Sequence, residues 1–299
     1  MTAAMLELTV PAPAKINLYL HSMGKRADGY HLLDTAFQLI DLQDTVRLRT
    51  RRDGRIALHT PIAGLPDAQH LAVRAAQCLK AATGSALGAD LWVEKRIPSG
   101  AGLGGGSSDA ASVLLGLNQL WGCGLDRASL QTLGLQLGAD VPFFCSGLGA
   151  VRAQGVGEIF SPLPPAQGFF TVIYPDCHVP TPAVFRHPDL TWRNKQAIIY
   201  ALADNSPDNA RNLFASSDFG NDLQGVALKI APPIEQALAV LDDAGSAQLV
   251  RMSGSGSAVF AQYLSLDAQQ VAWQALQKSM PKNWQAWSSK AMIEHPFVE

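Results

Sequence analysis

The chain has 299 residues, a formal net charge of −2 at pH 7 and an ordinary apolar content of 47%. This length predicts one large or two medium domains, and the near-neutral charge gives no general attraction to nucleic acid or to an anionic membrane. No apolar run is long enough to cross a bilayer and no signal-peptide pattern is evident, so we expect a cytoplasmic protein. The four cysteines include no Cys-x-x-Cys pair. Two disulfides are formally possible, but the spacing favours reduced, mostly buried thiols over disulfides or a zinc site.

The first informative stretch, Pro13–His21, alternates apolar with polar residues and predicts a half-buried strand. Its period of two places Lys15 and Asn17 on the same face, so that a cation and an amide project together from one strand. From this stretch alone, an ordinary solvated strand face is the simpler interpretation.

Two Asp-Gly pairs predict tight turns between extended runs. Asp28-Gly29 leaves Tyr30 and His31 at the turn exit, where the two rings either pack in the core or contact a base. Asp53-Gly54 lies inside a second predicted hairpin, Thr45–His59. We interpret the arginines of that hairpin as a solvated sheet face and not as a nucleic-acid patch.

A helix is predicted over residues 71–82 and ends at Gly84. It precedes a predicted strand at residues 90–97 and the glycine-rich segment Pro98–Asp109. The five glycines of this segment allow positive φ and close approach of the backbone to a bulky group, and a serine stands in the capping position of the following helix. Because a helix N-terminus offers free N–H groups, the segment suits a nucleotide phosphate better than it suits a flexible linker.

Two familiar phosphate motifs do not account for this segment. Gly100-x-Gly102-x-x-Gly105 satisfies the dinucleotide fingerprint, but the charged residues 94–96 are unlike the apolar strand that opens a Rossmann unit. No Gly-Lys-Ser/Thr follows the glycines, which excludes a Walker A loop. Hairpins followed by helices also favour an α+β fold over a doubly wound sheet.

Asp140 lies between a predicted helix and an apolar run. The helix is predicted to begin at an Asp126 cap and to end at Gly138. Asp140 is then either a turn residue before Pro142 or a general base at the edge of a buried segment.

The C-terminal part predicts strands and helices that resemble a split βαβ unit. Thr181 stands between two prolines and is predicted to be extended, and Asp267 is predicted to cap the last helix. Prolines cluster near residue 165, so we place two domains at residues 1–165 and 166–299. The predicted elements are a strand at 169–174, helices near 196–203 and 234–243, a strand, glycine turn and strand at 249–261, a helix over 267–280 and a strand at 284–292.

Six motifs stand in order along the chain: Pro13-Ala-Lys-Ile-Asn-Leu18, Asp28-Gly-Tyr-His31, Pro98-Ser-Gly-Ala-Gly-Leu-Gly-Gly-Gly-Ser-Ser108, Leu137-Gly-Ala-Asp-Val-Pro142, Val179-Pro-Thr-Pro182 and Ser253-Gly-Ser-Gly256. Their joint order and spacing resemble the GHMP kinase superfamily, specifically the kinases of the non-mevalonate isoprenoid pathway, nearly from end to end. The resemblance implies a two-domain α+β fold that holds ATP and substrate between its domains. It also implies transfer of the ATP γ-phosphoryl group to the 2-hydroxyl of the methylerythritol part of a cytidine diphosphate substrate.

Carried over residue by residue, the resemblance implies that Asp140 is the general base and that Lys15 neutralises developing charge. It also implies ATP with Mg²⁺ carried mainly by the nucleotide, which fits the missing metal motif. The residues that match the substrate site are Tyr30, His31 and Phe185 in the cytidine pocket and Asn17 and Thr181 near the transferring group. The residues that match the ATP phosphate loop are Pro98, Ser99, Gly100, Ala101, Gly102, Leu103, Gly104, Gly105, Gly106, Ser107 and Ser108.

One residue departs from the family pattern. His70 stands where the family often has an asparagine that contacts adenine, which puts that contact in doubt, although an imidazole can still make one hydrogen bond.

Three other functions stay open: a sister GHMP kinase for homoserine, mevalonate or galactose, an NAD-dependent oxidoreductase, and a non-catalytic nucleotide-binding module. A sister kinase should lack the Asp28–His31 motif.

Overall fold

The computed structural model describes residues 6–62, 64–166, 168–193 and 219–297. These residues form two sheets and eight helices, and the fold class is α+β as predicted. The helix predicted near residues 196–203 lies outside them. The strands are β1 Glu7–Lys25, β2 His31–Arg51, β3 Ile56–Leu58, β4 Gly88–Glu94, β5 Ala150–Gly155, β6 Ile159–Pro162, β7 Phe169–Tyr174, β8 Leu249–Met252, β9 Val259–Tyr263 and β10 Gln285–Lys290. The helices are α1 Leu71–Thr83, α2 Gly105–Trp121, α3 Arg127–Leu135, α4 Val141–Ser146, α5 Thr181–Arg186, α6 Gln224–Ile230, α7 Pro233–Asp243 and α8 Leu266–Ser279, with a 3₁₀ turn at Asp67–Gln69.

A long antiparallel hairpin of β1 and β2 is the centre of the first sheet. Its turn at Asp28-Gly29 is present as predicted, with Gly29 at φ 91°. The adjacent residues Lys15 and Ile16, which point to opposite faces of β1, are both buried. The prediction of a half-buried strand is therefore wrong, because α2 packs on β1 and side chains of the second sheet cluster with Ile16.

The second predicted hairpin, Thr45–His59, does not form. The turn at Asp53-Gly54 exists, but β3 pairs in parallel with β4, and β4 pairs antiparallel with β2 and so separates β2 from β3. Gly88 at the start of β4 allows this insertion, because a Cβ on it would lie 2.1 Å from the Arg55 carbonyl oxygen. Apart from β3 with β4 the named strand pairs are antiparallel, which is incompatible with a doubly wound sheet.

Helix capping follows the sequence in one case and departs from it in two. Asp126 caps α3 as predicted, since its carboxylate accepts the Ser129 N–H at 2.8 Å. No serine caps α2, because Gly104 in the left-handed region at φ 72° lets the helix begin at Gly105. Ser265, and not Asp267, caps α8 by accepting the Ala268 N–H at 3.1 Å.

The second sheet has the strand order β10-β7-β9-β8, and the predicted glycine turn joins β8 to β9. After β10 the chain returns to the first sheet, where Met292 N–H donates to the Leu39 carbonyl at 2.9 Å.

The division into two domains at residues 1–165 and 166–299 stays a prediction, because the C-terminal segment packs on the first sheet. All four cysteines are free thiols, as predicted, but the expectation that most are buried is wrong, because Cys145 is buried and Cys78, Cys123 and Cys177 are only partly so. None of the helices in the described part of the chain combines the length and apolar content needed to cross a membrane.

Candidate active site

Two adjoining cavities lie where the β1–β2 hairpin meets the glycine-rich segment, the starts of α4 and α5, and the β8–β9 turn. The smaller has a volume of about 300 Å³ and the larger about 630 Å³. They share five lining residues: Leu33, Ala139, Val156, Thr181 and Phe185. All seven residues predicted for catalysis or substrate binding line one or both cavities, so the structure brings together side chains that are up to 170 positions apart, from Lys15 to Phe185.

Lys15 and Asp140 face each other in the smaller cavity. The Lys15 ammonium on β1 lies 3.7 Å from an Asp140 carboxylate oxygen at the start of α4, and the two side chains are 5% and 32% exposed. The ammonium also donates to Asn17 Oδ1 at 2.6 Å and to the Gly102 carbonyl at 3.0 Å. Burial lowers the pKa of Lys15, and the Asp140 carboxylate opposes that shift. A buried cation therefore lies beside a partly exposed carboxylate.

Asn17 links this pair to β2. Its side-chain N–H₂ donates to Thr35 Oγ1 at 2.8 Å, and the Thr35 hydroxyl in turn donates to the Tyr19 carbonyl. Lys15 and Asn17 share a face of β1, as the period of two predicted. Thr35 was not predicted, because its place opposite Asn17 depends on a bulge in the β1–β2 register between Asn17 and Tyr19.

The glycine-rich segment is wedged between β1 and the β8–β9 turn. Gly102 has φ 79°, and a Cβ on it would lie 2.2 Å from the Ser253 carbonyl oxygen, so only glycine fits. The Gly102 carbonyl accepts both the Lys15 ammonium and the Ser253 hydroxyl. The Ala101 carbonyl accepts the Ala258 N–H at 3.0 Å. The segment is thus a fixed loop and not a flexible linker.

The residues of this segment divide into a loop and a helix start. Residues 98–104 form the loop, whereas Gly105, Gly106, Ser107 and Ser108 form the first turn of α2. The side chains of Ala101 and Leu103 are buried in the protein, which leaves their backbone as the part that can contact a ligand. The first N–H groups of a helix have no partner within it, so this turn can bind an anion.

Lys95 lies beside that first turn. A Cβ on Gly105 would lie 3.3 Å from its ammonium, which pairs with Asp44 and, at 2.6 Å, with Asp109. Burial raises the pKa of Asp109 to about 7, although Lys95 opposes the shift. The sequence offered no signal for this position of Lys95, because its two partners come from β2 and α2.

The larger cavity is lined by aromatic rings. The His31 ring lies 4.8 Å from the Phe185 ring and 5.2 Å from the Trp192 ring, whereas Tyr30 is 64% exposed at the rim. Burial, with a smaller effect of Lys25, lowers the pKa of His31 and favours the neutral imidazole. His31 Nδ1 is buried and has no hydrogen-bond partner among the described residues.

Thr181 lies between the two cavities. It is the first residue of α5, and the prediction of an extended residue is wrong, because Pro182 occupies the second helical position, where proline is tolerated. The Thr181 hydroxyl lies 2.7 Å from the Ser255 hydroxyl of the β8–β9 turn. This contact joins α5 to the same turn that holds the glycine-rich loop.

Comparison with known proteins identifies the family. The profile of the GHMP kinases N terminal domain matches residues 70–148, and that of the GHMP kinases C terminal domain matches residues 198–282. A 4-diphosphocytidyl-2-C-methyl-D-erythritol kinase from Ralstonia nicotianae is 47% identical over 301 residues, covering 100% of this chain and 99% of the relative. One from Herminiimonas arsenicoxydans is 46% identical over 292 residues, covering 96% of each.

The chain belongs to the 4-diphosphocytidyl-2-C-methyl-D-erythritol kinases of the GHMP kinase family. A crystal structure of a 4-(cytidine 5'-diphospho)-2C-methyl-D-erythritol kinase is 36% identical and covers 95% of this chain and 99% of its own, with a TM-score of 0.75. A homoserine kinase from Cytophaga hutchinsonii has a TM-score of 0.77 at 20% identity, with 99% and 98% covered. The fold is therefore common to several small-molecule kinases, and sequence identity separates the 4-diphosphocytidyl-2-C-methyl-D-erythritol kinases from the others.

In this kinase His70 has a structural partner. It caps α1, where its Nδ1 accepts the Ala72 N–H at 3.2 Å, and its side chain is buried. Burial and the nearby Lys95 lower the pKa of His70. Because Nδ1 is already occupied, any contact with adenine would have to use Nε2, and that contact stays a prediction.

Proposed function

We propose that this chain transfers the γ-phosphoryl group of ATP to the 2-hydroxyl of 4-diphosphocytidyl-2-C-methyl-D-erythritol, a step of non-mevalonate isoprenoid synthesis. The observation that carries the proposal is the Lys15–Asp140 pair at 3.7 Å, in a cavity that adjoins an aromatic cavity. The family membership of the chain supports the choice of substrate.

Asp140 is the proposed general base. Its carboxylate is partly exposed to the cavity, so a substrate hydroxyl can approach it and give up its proton as the new P–O bond forms. Lys15 is the proposed charge stabiliser. Its ammonium has two fixed acceptors, which leave one N–H for Asp140 or for a phosphoryl oxygen. A fixed cation of this kind stabilises the charge of the transferring group without having to reorganise.

The proposed ATP phosphate site is the glycine-rich loop with the first turn of α2. The Lys95 ammonium beside that turn is paired with Asp44 and Asp109. Of the described residues that line the smaller cavity, Asp140 is the sole carboxylate. This donor set suits a Mg²⁺ ion that is held mainly by phosphate oxygens. When bound, the ion would neutralise phosphate charge.

The proposed cytidine site is the larger cavity. Phe185 and the exposed Tyr30 offer ring faces for a base, and the unpartnered His31 Nδ1 offers a polar contact to its edge. Trp192 adds a third ring next to His31, and sequence reasoning missed it. Arg193 fixes the backbone beside it by donating its N–H to the Ser22 carbonyl at 2.8 Å.

A coupled ADP-release assay tests the substrate. We expect turnover with 4-diphosphocytidyl-2-C-methyl-D-erythritol and Mg²⁺-ATP, and none above background with homoserine, mevalonate or galactose. Comparable turnover with one of those three would reassign the chain to a sister kinase. ADP release with none of the four, together with ATP binding, would indicate a non-catalytic module, and a thermal shift with NAD but not with ATP would favour an oxidoreductase.

The aromatic pocket is tested by Tyr30→Ala. Stacking of a base on an aromatic ring contributes about 1–3 kcal/mol, so we expect the KM for the cytidine substrate to rise roughly 5- to 100-fold while the KM for ATP changes little. Tyr30→Phe, which keeps the ring, is the control and should retain a KM near that of the wild type. An equal rise of both KM values in Tyr30→Ala would contradict the placement of cytidine.

A further inference from the structure

The orientation of the Asn17 amide is determined by two neighbours, Thr35 and Lys15. The Thr35 hydroxyl gives its single proton to the Tyr19 carbonyl, so towards Asn17 its oxygen can only accept. The Asn17 N–H₂ must therefore face Thr35, and Asn17 Oδ1 must face Lys15. The reversed amide would place N–H₂ 2.6 Å from the ammonium, donor against donor.

This orientation matters because Lys15 is 4% exposed and its ammonium needs acceptors inside the protein. Asn17 Oδ1 is the nearer of its two hydrogen-bonded acceptors, and the Gly102 carbonyl is the other. Asp140, at 3.7 Å, is the charged group that faces Lys15 among the residues the structure describes, and the Phe37 ring lies 5.1 Å away. Without Asn17 Oδ1 the ammonium would turn towards the Asp140 carboxylate.

We propose that Thr35 is a positioning residue for phosphoryl transfer: its hydroxyl orients the Asn17 amide, which holds the Lys15 ammonium between the glycine-rich loop and Asp140. The inference rests on the proposed function, in which the Lys15 ammonium stabilises charge and the Asp140 carboxylate acts as the base. A close Lys15–Asp140 ion pair would weaken both the base and the stabilising cation. The hydroxyl also satisfies the buried Tyr19 carbonyl at the β1–β2 bulge, so its positioning role is tested by kcat and by the Lys15 titration and not by stability.

The test is Thr35→Val, which keeps the shape of the side chain and removes the acceptor. Without the Thr35 hydroxyl, Asn17 is no longer oriented and the hydrogen bond from the Lys15 ammonium to Asn17 Oδ1 is lost. We therefore expect kcat to fall roughly 10- to 100-fold, while the KM values for ATP and for the cytidine substrate stay within about threefold. Thr35→Ser restores the hydroxyl and should restore kcat. Thr50→Val is the matched control, because it makes the same change near the other end of β2 at a hydroxyl with no partner among the described residues.

The titration of Lys15 gives a readout that does not depend on turnover. In Thr35→Val the ammonium turns from the neutral Asn17 Oδ1 towards the Asp140 carboxylate, which favours its charged form, so we expect its pKa to rise, seen by NMR of ¹⁵Nζ-labelled lysine with Lys15→Arg for assignment. The alkaline limb of the kcat–pH profile should move in the same direction. If Thr35→Val does not fold, Thr35→Ala, which cannot overfill the site, is measured instead.

Either of two results would overturn the inference. One is a variant without the hydroxyl whose kcat and Lys15 titration equal those of the wild type. The other is a slow Thr35→Ser enzyme, which would show that the hydroxyl is not the group that matters. A wild-type enzyme that fails to phosphorylate the cytidine substrate would instead overturn the proposed function, and the Lys15 titration would still decide the role of Thr35.

Discussion

Lys15 is a buried cation whose carboxylate neighbour lies at 3.7 Å, beyond hydrogen-bond distance. Burial of an ammonium is costly unless the charge is paired and hydrogen-bonded, and here the lowered pKa of Lys15 reflects that cost. A purely structural ion pair would close to contact, as Arg152 and Asp34 do elsewhere in the same sheet. The open geometry leaves both groups free to bind other partners, as the proposed roles require: a phosphoryl oxygen for Lys15 and the substrate hydroxyl for Asp140.

Asp140→Asn should separate chemistry from binding. The amide keeps the shape of the side chain but cannot take a proton, so we expect kcat to fall roughly 10²- to 10⁴-fold. ATP affinity, measured by titration calorimetry, should stay within a few-fold, because the loop and α2 do not depend on Asp140. Asp126→Asn is the matched control: it is also an Asp at a helix N-terminus, and Asn caps a helix equally well. Turnover retained in Asp140→Asn would remove this residue from the mechanism.

At the scale of the element, the glycine-rich loop and the β8–β9 turn are packed backbone against backbone. The Gly102 carbonyl and the Ser253 hydroxyl are hydrogen-bonded at 2.9 Å, and Gly254 is also so close that its Cβ would lie 3.1 Å from the Gly102 carbonyl oxygen. The glycines of the loop thus have two different tasks. Some fit the loop to the protein, and others leave space on the side where the phosphates are proposed to bind.

Gly102→Ala and Gly106→Ala distinguish these tasks. Alanine at Gly102 adopts a strained φ and clashes with Ser253, so we expect a loss of about 1–3 kcal/mol or more in unfolding free energy, measured by urea titration, and a higher KM for ATP. At Gly106 an added Cβ meets Leu71 at 3.4 Å, which is ordinary contact, so stability should not fall. A raised KM for ATP in Gly106→Ala at unchanged stability would assign that glycine to the nucleotide. Equal stability losses in both variants would contradict the distinction.

At the scale of the whole molecule, the local sequence patterns correctly predicted features that depend only on neighbouring residues, such as strand faces and tight turns. The shared face of Lys15 and Asn17 follows from the period of two along one strand, and the turn at Asp28-Gly29 follows from its own residues. The insertion of β4 between β2 and β3 does not, because it is decided by pairing between segments far apart in sequence. Thr181 shows the same limit on a small scale: two prolines are compatible with an extended chain or with the first turn of a helix.

The site was predictable as far as motifs reach. The seven residues assigned to catalysis and substrate binding line the two cavities, and all but Phe185 lie in one of the six short motifs. Thr35, Lys95 and Trp192 lie outside those motifs, and their partners come from other elements: β1, α2 and the start of β2. Which side chains support a site depends on strand register and on packing between elements. These contacts between distant segments cannot be predicted from the local patterns of one sequence.

The C-terminal segment couples the two sheets, and its stability should depend on pH. His295 is fully buried, and its backbone N–H donates to the Gly147 carbonyl at 2.9 Å. Burial, with a smaller effect of Arg127, lowers the pKa of His295 to about 4. The unfolded chain has a histidine pKa near 6.5 and so binds more protons between pH 6.5 and 4. The stability that neutral His295 contributes is therefore complete above about pH 6.5 and decreases as the pH falls towards 4.

His295→Asn should reduce this pH dependence. At pH 5 the protonation term of His295 amounts to about 2 kcal/mol, so the fall in unfolding free energy from pH 7.5 to 5 should be smaller by about that amount than in the wild type. Asparagine keeps an acceptor for the Phe297 N–H, which His295 Nδ1 accepts at 3.2 Å. His187→Asn is the matched control, because the half-buried His187 accepts the Asp189 N–H in the same way at 3.2 Å. Its urea titrations should follow the wild type at both pH values, and a His295→Asn protein that does the same would exclude His295 as the source.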